Sequence, residues 1–386
     1  MTRSYDVAIV GLGAMGSAAA YHFTRRGARV LGLDRFAPPH ALGSSHGETR
    51  IIREAYFEDP RYVPIVQRAY ELWGELERES GEPLMLRTGG LMIGIPDGMV
   101  VRGAQTSAET HGLPFERLDA REISRRFPAL APREDMVAIF EPRAGVLFPE
   151  RCVGAHLALA AKAGATLLPN EPVSSWRADG DGFEVITPLG RYHAGALVLA
   201  ANAWLDRLLP DLDLGLTVMR QVLFWFEPRA AAADFEPGRL PIHIWEPEPR
   251  RCFYGFPAFG GEVKAAIHHE GVRSDPDRLD REVREPEVDA IRARLAAYLP
   301  NANGRFARAA VCMYANTPDE HFILDHHPAH PRVLVISACS GHGFKFSAPI
   351  GEIAADLLLD GRSRFDLGLF RMRTAAGPSP GRPERT

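Results

Sequence analysis

The chain has 386 residues, 46% of them hydrophobic and 24% charged, the balance of a soluble globular protein with room for two or three domains. Forty-five basic against forty-nine acidic residues leave a net charge of -4, with no basic stripe to follow a nucleic-acid backbone. No apolar run approaches the roughly 18 residues that span a bilayer, and the first apolar segment is broken by Asp6 and lacks a cleavage site, so the reading is a cytoplasmic protein that does not meet a membrane.

In chain order, residues 5–10 predict an apolar strand that runs into Gly11, Gly13 and Gly16. This is dinucleotide-binding spacing: the first glycine turns the chain, the second admits a pyrophosphate, and the third lets the next helix pack on the strand. A helix over 14–26 ended by Gly27, a strand over 28–33 and Asp34 at its end complete the unit. Asp34 stands where a ribose hydroxyl acceptor is expected and repels a 2′-phosphate, which disfavours NADP; the spacing does not separate FAD from NAD.

Residues 36–50 are rich in turn formers and read as a functional loop that enters a short helix over 51–56. Residues 63–79 carry a helical apolar period and should pack on the nucleotide domain. Residues 88–94 look like a strand of a different sheet, 142–149 a return crossing, and a helix over 150–162 with a strand over 196–201 resumes the α/β pattern. Runs at 252–258 and 263–268 around a glycine-containing turn suggest a hairpin. Alternation puts Lys264, Ala266 and His268 on one face and Val263, Ala265 and Ile267 on the other, and by spacing alone the basic face points to solvent.

Near the C-terminus a buried strand over 333–337, a loop over 340–346 and a helix over 348–359 closed by Gly361 form a second strand–glycine loop–helix, whose helix N-terminus suits the negative charge of a reduced flavin. Residues 375–386, rich in proline, glycine and arginine, read as a disordered tail. The histidine run from His321 to His330 shows no metal-binding register, and no metal is expected. Four widely spaced cysteines, Cys152, Cys252, Cys312 and Cys339, argue against a disulfide framework or a zinc site.

Four segments together resemble one family: the glycine motif with Asp34, Gly-Ser-Ser-His-Gly-Glu-Thr-Arg-Ile-Ile-Arg from Gly43 to Arg53, Cys312-Met313-Tyr314 with Pro318-Asp319-Glu320, and Ser-Gly-His-Gly-Phe-Lys-Phe from Ser340 to Phe346. The chain is similar, nearly end to end, to the amine-oxidising flavoproteins typified by monomeric sarcosine oxidase and N-methyltryptophan oxidase. The resemblance implies an α/β and α+β fold, with a Rossmann-like FAD-binding domain over 1–86, 145–215 and 320–374. A second, mixed or antiparallel-sheet substrate domain then covers 87–144 and 216–319, and the protein is a monomer.

It also implies FAD bonded through its 8α-methyl to Cys312, with Ser44, His46 and Arg50 on the flavin-side loop and Gly341, Gly343 and Lys345 on the C-terminal one. Arg53 and Lys345 would grip a substrate carboxylate, although Arg53 could instead form a helix-surface ion pair with Glu54 or Glu58. Tyr254 and Tyr314 would shape the pocket, His268 would contact substrate, and Lys264 would sit near flavin N5 where O2 is reduced. The implied reaction is oxidation of a secondary amino acid, N-methyl or cyclic, by hydride transfer to N5; the imine hydrolyses and O2 returns as hydrogen peroxide. The alternatives are a flavin- or NAD-dependent amino-acid dehydrogenase that does not use O2, or a flavoprotein without catalysis. Two departures stand out: Asn202 replaces a family glycine, and the segment over 54–60 is bulkier and more acidic than the sarcosine enzymes' loop, which puts sarcosine itself in doubt.

Overall fold

A computed structural model describes residues 4–373; the tail expected over 375–386 lies outside them. The fold is mixed α/β, built on an eight-stranded, a nine-stranded and a three-stranded sheet. In the first, strand Ser4–Val10 lies between the parallel strands Val30–Leu33 and Arg191–Leu199, and His330–Ser337 continues the parallel array beyond Arg191–Leu199. Val7 to Val10 is buried on both faces, as a central parallel strand requires, and is accordingly an unbroken apolar run. Helix Ala14–Arg25 covers one face, and helix Ser347–Ala355 packs so closely on it that a Cβ at Gly351 would sit 2.5 Å from the carbonyl carbon of Ala18. A Cβ at Gly16 would overlap the carbonyl of Gly11, which is why this turn has no room for a side chain.

The nine-stranded sheet is largely antiparallel. It contains the hairpin expected from sequence, Arg251–Gly255 with Val263–His268 in register Tyr254 to Ala266, and the long pair Thr217–Phe226 with Phe306–Asn316. The small third sheet pairs Arg50–Ile52 with Gly145–Leu147, which pairs in turn with Met85–Arg87. Among the described residues no helix is long and apolar enough to cross a membrane.

Two local readings are corrected. Residues 51–56 do not form a short helix: Arg50–Ile52 is a strand, because the β-branched pair Ile51-Ile52 finds a ladder partner in Gly145–Leu147, and 53–59 follows as an irregular strap. The face that carries Lys264 is not open to solvent, since Lys264 is 2% exposed. Alternation reveals that a strand has two faces, but not that both are covered. Asn202 does adopt the left-handed backbone of the glycine it replaces, at φ 46°, and its amide donates to Ser44 Oγ at 2.9 Å.

Candidate active site

One cavity of about 430 Å³ runs from the glycine turn to the seam between the two large sheets. Gly11, Gly13, Asp34 and Ser44 line it at one end; Arg50, Arg53, Tyr254, His268, Cys312, Tyr314, Gly341, Gly343 and Lys345 line it at the other. Three of the residues singled out from sequence are not on its wall: Gly16 is packed in the turn, while His46 and Lys264 lie behind the lining residues.

The glycine end fits a dinucleotide. Gly11 has φ +92°, and a Cβ there would press on the Ala200 carbonyl oxygen at 2.7 Å, whereas a Cβ at Gly13 would meet only Ser45 Oγ at 3.6 Å, so the chain is bare where phosphates must approach. Helix Ala14–Arg25 has no side-chain cap from Gly13; Ser45 Oγ accepts from the Ala14 N–H at 3.2 Å, and the positive end of the helix faces the cavity through Gly13, Ala14 and Met15. Asp34 accepts from the backbone N–H of Leu12 at 2.7 Å and of Phe36 at 2.8 Å, which fixes the carboxylate and uses two of its roughly four acceptor sites.

At the far end Cys312 is 2% exposed. Burial pushes its thiol up, and the guanidinium of Arg50, with Nη2 3.8 Å from the sulfur, works against that rise by favouring the thiolate. Arg50 is itself held by the carbonyls of Thr49 at 2.9 Å and Ser44 at 3.0 Å. Behind this wall the ammonium of Lys264 donates to Gly47 O at 2.6 Å, Thr49 O at 2.9 Å and Thr49 Oγ1 at 2.9 Å, one acceptor for each N–H. Burial, then the charge of Arg50, drives its pKa well down. His46 is buried with Nε2 unpartnered among the described residues, and burial with the Arg50 charge pushes it down to about 3.

Arg53 is buried, its guanidinium between the rings of Tyr56 and Phe57 at 4.2 and 4.1 Å. Its Nη2 donates to both oxygens of Glu58 at 2.6 Å and its Nη1 to Ala55 O at 3.2 Å, while Nε has no partner among the described residues. The pairing with Glu58 weighed from sequence is therefore present, but inside the cavity wall rather than on a helix surface. Burial favours the neutral form of Glu58, yet Arg53, His342 and Lys345 together hold its carboxyl below the usual range. Lys345 donates to His342 O at 2.7 Å, and Trp73 Nε1 donates to the Lys345 carbonyl at 3.0 Å, fixing the residue from the core side. Burial, then the charge of Arg53, pushes Lys345 down to about 7.

His268 Nδ1 lies 3.3 Å from the Tyr314 hydroxyl, and the Tyr254 ring meets the His268 ring edge-on with centroids 6.0 Å apart. Burial keeps His268 neutral at pH 7, with the His269, His342 and Arg53 charges adding to the effect. A Cβ at Gly341 would lie 2.7 Å from both His268 Cε1 and the Tyr314 ring, so the C-terminal loop rests directly on this group. Glu58, His342 and Phe57 are wall residues that were not named as site residues from sequence, although Phe57 and Glu58 lie in the bulky, acidic segment over 54–60 and His342 in the Ser340–Phe346 motif. Helix Met99–His111 approaches the strap so closely at Gly103 that a Cβ there would overlap the Phe57 carbonyl. No group of three metal-ligating side chains occurs among the described residues.

These features have counterparts in known proteins. The chain is 48% identical over 384 residues to the monomeric sarcosine oxidase of Streptomyces avermitilis, covering 98% of this chain and 100% of that one. It is 40% identical to a Bacillus monomeric sarcosine oxidase, with 97% of each covered, and 38% identical to the N-methyl-L-tryptophan oxidase of Salmonella heidelberg, with 95% and 98% covered. Among solved structures, NikD, an unusual amino acid oxidase essential for nikkomycin biosynthesis, superposes with a TM-score of 0.84 at 26% identity, covering 97% of this chain and 98% of that one. Glycine oxidase from Geobacillus kaustophilus shares the fold, with a TM-score of 0.83 at 22% identity and coverage of 97% and 100%. With residues 6–357 matching the family described as DAO, FAD dependent oxidoreductase, the chain belongs to that family.

Proposed function

We propose that this protein is an FAD-dependent oxidase of secondary amino acids, N-methyl or cyclic. The observation that carries the reading is the cavity that joins the dinucleotide turn at Gly11 and Gly13 to a pocket of Arg53, Lys345, Tyr254, Tyr314 and His268. FAD, when bound, supplies a hydride acceptor at N5 and a route for two electrons to O2, giving hydrogen peroxide.

The chain's own residues do the rest. Lys345 spends one N–H on His342 and keeps two for a carboxylate, and the guanidinium of Arg53 on the same wall adds a second positive charge. A pocket walled by Arg50, Arg53 and Lys345 disfavours an ammonium, so the substrate amine binds neutral and no protein base is needed. Tyr254, Tyr314 and neutral His268 orient the amine-bearing carbon, and Phe57 with Ile244 and Phe256 keeps water out. Phe57 and Glu58 bring an aromatic ring and a carboxylate to the strap side of the pocket, and turnover of sarcosine against larger secondary amino acids reads what they select.

In this reading Cys312 is the covalent flavin ligand, with Arg50 favouring the thiolate that makes the bond. Lys264, placed by the carbonyls of Gly47 and Thr49 behind the flavin-side loop, is the group that meets oxygen as it is reduced. The domains divide as the sequence suggests, and the protein acts as a cytoplasmic monomer. Peroxide release across N-methyl amino acids, proline and pipecolate tests the proposal, and release from none of them overturns it. Protein denatured in acid should stay yellow, with a fluorescent band on a gel; colour that leaves with the supernatant refutes the Cys312 bond, and Cys312→Ser should release it.

A further inference from the structure

The strap after Ile52 carries Arg53, Phe57 and Glu58 to the cavity, yet it pairs with no strand. Backbone N–H groups of Glu54 and Ala55 would be orphans in this buried position, and both go to one side chain: Glu141 Oε1 accepts from Glu54 N at 2.7 Å and Oε2 from Ala55 N at 2.8 Å. Glu141 is the last residue of strand Val137–Glu141, 1% exposed, and is not on the cavity wall. The carbonyl of the clamped Ala55 is the group that accepts from Arg53 Nη1 at 3.2 Å. Two residues beyond Glu141, Arg143 Nε lies 3.3 Å from the Glu54 carboxylate, so the same turn also holds the strap from its outer side.

We propose that Glu141 is a positioning residue for carboxylate recognition: by clamping the amides of Glu54 and Ala55 it fixes the Ala55 carbonyl and thereby the guanidinium of Arg53. The proposal rests on the reading of Arg53 as a substrate-carboxylate ligand. A carboxylate suits the task because both of its oxygens accept, whereas an amide would set an NH2 group against a backbone N–H.

The test is Glu141→Gln as the flavin-loaded enzyme. Binding of methoxyacetate, a carboxylate with no oxidisable amine, is read by the change in flavin absorbance, and turnover is compared between an N-methyl amino acid and N-methylbenzylamine, which lacks the carboxylate. We expect the Kd for methoxyacetate and the KM for the amino acid to rise about tenfold, with the limiting rate of anaerobic flavin reduction changed less than about twofold. Oxidation of N-methylbenzylamine should match that of the unaltered enzyme. Unchanged Kd and KM overturn the proposal, and so does an equal loss with both substrates, which marks general damage. Glu141→Asp, which keeps the charge and shortens the reach, should also weaken methoxyacetate, and an unchanged Kd there refutes the clamp should the glutamine variant not fold. If the unaltered enzyme oxidises no amino acid at all, the function reading fails, while the methoxyacetate Kd still reports on the clamp.

Discussion

Lys345 makes carboxylate binding depend on pH. Burial first, then Arg53, brings the lysine down to about 7, while Glu58 pulls the other way. Of the groups beside Lys345, His342 is pushed down to about 4 by burial, and Glu58 is held below the usual carboxylate range by Arg53, His342 and Lys345. Above pH 7 the free site loses its ammonium, and an anionic ligand must bring the proton back. Apparent Kd should then rise close to tenfold per pH unit, reaching about 100-fold near pH 9 if the complex holds its proton to that point, or about 2.7 kcal/mol at 1.36 kcal/mol per unit. That limit falls within the roughly 1.5–3 kcal/mol of a hydrogen bond to a charged group. Methoxyacetate is the suitable ligand, since it has no amine and stays anionic throughout, and flavin absorbance gives Kd from about pH 6 to about pH 9. A flat profile would refute the reasoning. So would a profile that survives Lys345→Met, because the titration would then belong to Glu141, which burial raises to about 7 from behind the strap.

Three further outcomes follow from the geometry. Gly16→Ala forces a Cβ onto the Gly11 carbonyl, so flavin content, read as the ratio of visible to ultraviolet absorbance, should drop below about a tenth, with about 1–3 kcal/mol of stability lost; a fully loaded variant would show that the turn can yield. Lys264→Met should slow reoxidation by O2 by about 100- to 1,000-fold while anaerobic reduction changes far less, and equal effects in stopped flow would remove the oxygen role. Buried His22 is pushed down to about 4 by desolvation, from about 6.5 in the unfolded chain. Between those values the unfolded state holds the extra proton, so the contribution of His22 is complete above pH 6.5 and is lost as pH falls toward 4. The stability difference between the native protein and His22→Leu in urea should therefore shrink by about 3 kcal/mol across that window, and a constant difference would count against a neutral buried ring.

Much of the cofactor end was legible because its function is written in backbone: Gly11, Gly13 and Gly16 are absences of side chain at fixed spacing, and Asp34 closes the same local unit. The substrate end was harder to read. Lys264 looked solvent-facing because period-2 alternation carries no information about what covers each face, and here Gly47 and Thr49 come from more than 200 positions away in sequence. Arg53 was expected on a helix, since its neighbours Glu54 and Ala55 favour one; pairing of Ile51 and Ile52 with Gly145–Leu147 decided otherwise. Glu141 gave no signal at all, because its partners lie 86 and 87 residues away and are backbone amides, which every residue except proline has.

The close approach of Gly103 to Phe57 has a consequence for anyone who redesigns this pocket. The depth of the strap is set by a helix residue that touches no ligand, so a library confined to Phe57, Glu58 and the other wall positions samples side chains on a fixed frame. Varying Gly103 together with Phe57 would move the frame itself. Selection for a new amine should accordingly recover paired changes at these two positions, which single-site scanning would discard as damaging.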